Sequence, residues 1–243
     1  MKRLAALWFA AALGSASMAW AQGQPPAGPR LILVGDSTLA PRSGYGNALC
    51  ARFQQVACLN LARGGRSSKS YRAEGLWATV LALLNERGPG DTRQHSLVLI
   101  QFGHNDQPGK PGRSTDLASE FGPNLAGYVA EARAAGAEVM LLTPLTRRSF
   151  RQGELDNDLR PWAEATLKLG AELGVPVLDL NALSAASVRA MGQPAADTLA
   201  EAPPRFDRTH LGPRGAALFA QMVADELLRL RPDLAGARTL AVP

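Results

Sequence analysis

The run Leu97-Val98-Leu99-Ile100-Gln101-Phe102, stopped by Gly103, constrains the fold more than any other segment. An apolar stretch this short, rich in branched side chains and ended by glycine, reads as a strand buried on both faces, as in a parallel sheet. Similar short runs occupy 31–34 before Gly35, 58–61 before Gly64-Gly65, 139–142 before Thr143-Pro144, and 175–180. The intervals between them carry helical spacing. Helices are predicted over 46–56, over 71–86 (Leu76, Val80, Leu83 and Leu84 on one face), over a face of Phe121, Leu125, Tyr128, Val129 and Ala132 ended by Gly136, over 159–173, and from Pro213 to 230. Strand and helix alternating in this way require right-handed crossovers and a parallel sheet covered by helices on both faces. With 243 residues, one well-buried domain over 31–231 is expected, followed by a surface tail over 232–243. No internal repeat or low-complexity segment interrupts it.

The N-terminus is set apart from this pattern. Lys2 and Arg3 precede an apolar run from Leu4 to Ala12, and Ala19-Trp20-Ala21 places small residues about a cleavage point. This is the layout of a secretory signal peptide over 1–21, with a Pro/Gly-rich leader over 22–30. The run falls short of the roughly 20 residues that span a bilayer, so no membrane anchor is expected after cleavage, and the location is periplasmic or secreted. Without Lys2 and Arg3, 24 of the 26 Lys+Arg remain against 21 Asp+Glu, a net charge of +3. Basic residues do not interleave with aromatics and no zinc-finger spacing occurs, so nucleic acid is not an expected partner. In an oxidising compartment Cys50 and Cys58 read as a disulfide, the alternative being two separate buried thiols.

Ligands of open parallel sheets sit beyond the carboxyl ends of the strands. There the chain places Gly35-Asp36-Ser37-Thr38, then Ala62-Arg63-Gly64-Gly65-Arg66-Ser67-Ser68, then Gly103-His104-Asn105-Asp106. A serine nucleophile needs a base, and the base an orienting acid. Of the three histidines, His95 precedes the third strand on the wrong side of the sheet and His104 lies in the third turn. His210 follows Asp207 by three residues, close enough for the carboxylate to hold the imidazole toward Ser37. The alternative is a surface Asp and His that cap the last helix. Acyl transfer also needs donors for an oxyanion, for which Ser37 N–H, Gly65 N–H and the Asn105 amide are candidates. Arg42, Arg66, Arg147 and Arg148, with Arg151, lie near the same edge and are candidate contacts for an acidic substrate. A Gly-x-Ser-x-Gly elbow, His-Glu-x-x-His, a phosphate loop and a dinucleotide fingerprint are all missing.

Gly35-Asp36-Ser37, Gly65, Gly103-His104-Asn105-Asp106 and Asp207-x-x-His210, in that order, resemble the blocks of the SGNH (GDSL-type) hydrolases. Gly64-Gly65-Arg66-Ser67-Ser68, the run 103–107 and Thr143-Pro144 are further similar to the rhamnogalacturonan acetylesterases among them. The resemblance covers most of 31–230. It implies a flavodoxin-like three-layer α/β/α sandwich with a five-stranded parallel sheet of order 2-1-3-4-5. It also implies Ser37 as nucleophile, Asp207 and His210 completing the triad, and Gly65 and Asn105 in the oxyanion hole, with no metal or organic cofactor. The expected activity is removal of acetyl groups from a polysaccharide or oligosaccharide, pectic rhamnogalacturonan first. The alternatives are an SGNH esterase acting on another acetylated glycan, a lipid or a thioester, and a non-catalytic glycan-binding domain.

Overall fold

The computed structural model describes residues 30–53, 56–86 and 96–237. The expected signal peptide, nearly all of the leader, His95 and residues 238–243 lie outside them. Five strands form one parallel sheet: β1 (Arg30–Gly35), β2 (Ala57–Asn60), β3 (Ser96–Gln101), β4 (Glu138–Leu142) and, last in the chain, a strand at Val177–Leu178. In space β1 lies between β2 and β3, β4 follows β3, and Val177–Leu178 closes the other edge. This is the 2-1-3-4-5 order. In register, Gly35 faces Gln101 and Gln101 faces Leu142, so the first, third and fourth strands end level. A side chain on Gly35 would collide with the Gln101 carbonyl oxygen, its Cβ coming within 2.5 Å, so glycine is required where β1 turns away.

Strand residues alternate between two cores. Leu31, Leu33, Leu97, Leu99, Met140, Leu142 and Leu178 face one side, where α1 (Gly46–Cys50) packs with the late helices. Ile32, Val34, Val98, Ile100, Val139 and Leu141 face the other, against α2 (Ser68–Ala73), α3 (Leu76–Asn85), α4 (Gly122–Ala134) and α5 (Arg160–Leu173). A sheet buried on both faces leaves only its strand ends for chemistry.

Several boundaries differ from expectation, each for a local reason. The first helix stops at Cys50 because the chain doubles back: Cys50 and Cys58 are bridged, with Cα atoms 5.3 Å apart. The single helix expected over 71–86 is two, α2 and α3, separated by Gly75 at φ 76°. Ser67 caps α2 in a reciprocal pair with Ser70. The fifth strand is cut to two residues because Asp179 instead caps the next helix, accepting from Ala182 N–H at 3.1 Å. That helix, α6 (Leu180–Asp197), breaks at Gly192 and has no counterpart in the sequence reading. Nor has the hairpin of β5 (Phe150–Arg151) and β6 (Glu154–Leu155), turned by Gln152 and Gly153 at positive φ. Helix α7 (Pro213–Leu230) starts and stops where expected. The described part of the expected tail is 232–237. It opens with a tight turn of helix at Pro232–Ala237 whose Leu234 is buried in the core.

Candidate active site

The turn after β1 is held from below by a chain of buried polar groups. Asp36 Oδ1 accepts from Thr38 N–H at 2.9 Å and Thr38 Oγ1 at 2.8 Å. Gln101 Nε2 donates to Thr38 Oγ1 at 2.7 Å, and Tyr45 Oη donates to Gln101 Oε1 at 2.5 Å. His104 Nδ1 lies 3.3 Å from Asp36 Oδ2, both residues fully enclosed. Burial opposes the charge on Asp36. The adjacent His104 and the Thr38 donors outweigh it and hold the carboxyl below its usual range. The turn therefore presents Ser37 on a fixed base.

His210 arrives from the loop before α7. Its Nε2 stands 2.9 Å from Ser37 Oγ and its Nδ1 2.8 Å from Asp207 Oδ2. Asp207 Oδ1 accepts the backbone N–H groups of Thr209 and His210, each at 2.7 Å. Partial burial raises the Asp207 pKa, but these N–H groups and the His210 ring prevail and hold it low. An ionised Asp207 keeps the proton on Nδ1 and leaves Nε2 free to accept from Ser37.

Gly64 brings the second turn to the serine: a Cβ built on it would lie 3.8 Å from Ser37 Cβ. The Asn105 amide donates to the Arg66 carbonyl at 3.0 Å, and its Oδ1 faces Arg113 Nη1 at 3.4 Å. A donor at one end and an acceptor at the other fix which way the amide points, leaving its second N–H uncommitted. Asp106 anchors the third turn to α2, accepting from Ser68 Oγ at 2.5 Å and Ser68 N–H at 3.1 Å. Burial pushes its pKa up to about 6.

Expected substrate arginines are distributed differently. Arg148 is a correction: it is buried and contacts backbone. Its Nη2 donates to the carbonyls of Asp207 at 2.9 Å and His210 at 2.6 Å, and its backbone N–H to that of Arg208 at 2.9 Å. It grips the loop that carries Asp207 and His210. Burial lowers its pKa to about 10, which leaves it charged at neutral pH. Arg147 spans Asp158, Gln107 and Thr209, Arg66 pairs with Glu74, and Arg151 with Asp156. Arg42 is exposed. The polar group under Ser37 and the grip of Arg148 escaped the sequence reading. Gln101, a polar residue inside an apolar strand, is the signal that could have found the former. Among the described residues no three His, Cys, Asp or Glu side chains converge as a metal site would.

A serine, an imidazole and a carboxylate in line at the strand ends are the geometry of acyl transfer. Residues 22–218 match the GDSL-like lipase/acylhydrolase family. The chain belongs to that family. It is therefore a carboxylic ester hydrolase. The rhamnogalacturonan acetylesterase RhgT of Bacillus subtilis is 32% identical over 220 residues, covering 83% of this chain and 90% of its own. Among solved structures, protein YXIM of Bacillus subtilis superposes with a TM-score of 0.69 at 25% identity, over 85% of this chain and 58% of its own, so this chain spans little more than half of it. Axe2, an acetylxylan esterase from Geobacillus stearothermophilus, shares the fold with a TM-score of 0.60 at 17% identity, over 84% of this chain and 94% of its own.

Proposed function

We propose that this chain is an exported serine acetylesterase that deacetylates a polysaccharide, pectic rhamnogalacturonan first, through a Ser37–His210–Asp207 acyl-enzyme mechanism. The observation that carries the mechanism is the 2.9 Å contact of His210 Nε2 with Ser37 Oγ, with Asp207 on the far nitrogen. His210 takes the Ser37 hydroxyl proton as Oγ bonds to the acetyl carbonyl carbon. Ser37 N–H, Gly65 N–H and the free N–H of Asn105 receive the oxyanion. Collapse breaks the bond to the sugar oxygen, which leaves with the proton from His210. Water then gives its proton to His210 and attacks the acetyl-serine. Acetate departs and Ser37 regains its hydroxyl. The similarity to RhgT supports the choice of rhamnogalacturonan, and the N-terminal signal pattern supports export.

The test is acetate release by the purified chain from acetylated rhamnogalacturonan and acetylated xylan in parallel. The reading expects faster release from rhamnogalacturonan, and none from either by a His210→Ala variant. Equal rates on the two would overturn the substrate. Undiminished release by the variant would overturn the mechanism.

A further inference from the structure

Beside the nucleophile turn, over the end of edge strand β2, lies a cleft of about 350 Å³ that has no role in the chemistry above. Its walls come from the loop after β1, bearing Arg42 and Ser43, and the loop after β2, bearing Arg63 and Gly64, with Tyr71 and Leu76 beyond. It opens next to the reacting serine. Ser43 Oγ donates to the Ser37 carbonyl at 2.7 Å, and Gly64 is the residue that abuts Ser37 Cβ.

Among the described residues no Asp or Glu lines the cleft, whereas both flanking loops supply an exposed arginine. Among the described residues neither the Arg42 nor the Arg63 guanidinium has a hydrogen-bond or ion-pair partner. Arg66, Arg147 and Arg151 on the same edge each hold a carboxylate of the protein itself. Two uncommitted planar cations from separate loops, in a concave site without a counter-charge, suit an anion whose oxygens can take paired N–H donors.

We propose that this cleft is an acidic-sugar subsite, in which Arg42 and Arg63 hold the carboxylate of a uronate unit of the polysaccharide whose acetyl group is presented to Ser37. The proposal rests on the reading of the chain as a polysaccharide acetylesterase, and it moves charge recognition from Arg148 to Arg63. Phosphate presents the same oxygen geometry, so the assay separates the two sources.

Unacetylated oligogalacturonate is titrated calorimetrically into the full chain and into an Arg42→Gln/Arg63→Gln variant, whose folding is checked by its melting temperature. Both side chains are exposed, so the melting temperature is expected to hold. The proposal expects binding by the wild type that weakens with added salt. It expects a loss of at least about tenfold in the variant, as removal of charge-assisted hydrogen bonds brings. Inorganic phosphate at equal concentration should compete weakly. No binding by the wild type, equal affinity in the variant, or equal competition by phosphate would each overturn the subsite. Acetate release is measured separately: a wild type that binds oligogalacturonate and releases no acetate refutes the esterase reading and leaves the subsite standing.

Discussion

The turn that bears the serine and the loop that bears the histidine are built on opposite plans. Ser37 rests on Asp36, Thr38, Gln101 and Tyr45, enclosed and hydrogen-bonded in a chain, with the buried His104 ring 3.3 Å from Asp36. His210 and Asp207 have side chains 40% and 44% exposed, and the grip on their backbone comes from one buried guanidinium. A second tie, Leu211 N–H to the Ser43 carbonyl at 2.9 Å, joins the base loop to the serine side. Ser37 thus owes its place to the sheet, and His210 owes its place to Arg148. Damage beneath the serine should appear mainly as lost stability, and damage in the base loop mainly as lost rate.

The largest effect is expected on the exposed side. Asp207→Asn removes the acceptor that fixes the His210 tautomer and should lower kcat by about 10⁴ with the melting temperature little changed. A fall of less than tenfold would break the assignment. Asn105→Ala should lower kcat by about 10²–10³. A change confined to KM would make Asn105 a substrate-positioning group. Arg148→Met frees the carbonyls of Asp207 and His210 and lets the base drift, for which a kcat loss of about 10–10² is expected. Arg148→Lys should lose less of that rate, since it keeps a donor to the loop. If Arg148→Met lowered only the melting temperature, the contrast between turn and loop would fail.

The smallest effect is a pH dependence in the third turn, where Asp106 ties the chain to α2. Asp106 has its pKa raised in the folded chain to about 6, above the ordinary 3.8. The native state therefore holds this proton more tightly than the unfolded chain does. The resulting stability is fully present below the unfolded pKa and lost as pH rises through about 6. The melting temperature of wild type relative to Asp106→Asn should fall between about pH 4 and about pH 7. A difference that is flat or rises over that range would contradict the assigned burial of an ionising carboxyl.

Most of the sheet was legible because its strands are continuous apolar runs ended by Gly or Pro, a signal tertiary structure does not blur. Ser37, Asp207 and His210 could be matched because strand ends and a lone Asp-x-x-His stand out against so few histidines. The structure brings all three together. Helix α6 was not legible, since its buried residues include Asn181, Ser184, Ala185 and Ala196, too small or polar to make an apolar stripe. Asn181 is enclosed because it serves the backbone, donating to the Pro144 carbonyl at 3.0 Å. Arg148 misled for a related reason. An arginine after a strand end reads as a surface cation, and only the packed loop reveals three carbonyl-bearing residues, 207, 209 and 210, closing over it.

The central claim, that His210 activates Ser37 for covalent chemistry, is tested most directly by mass spectrometry after exposure to a fluorophosphonate. The account predicts one adduct per chain, located on the peptide containing Ser37, with labelling greatly slowed in His210→Ala. An enzyme that releases acetate while Ser37 stays unlabelled, or that labels at the same rate without His210, would contradict it.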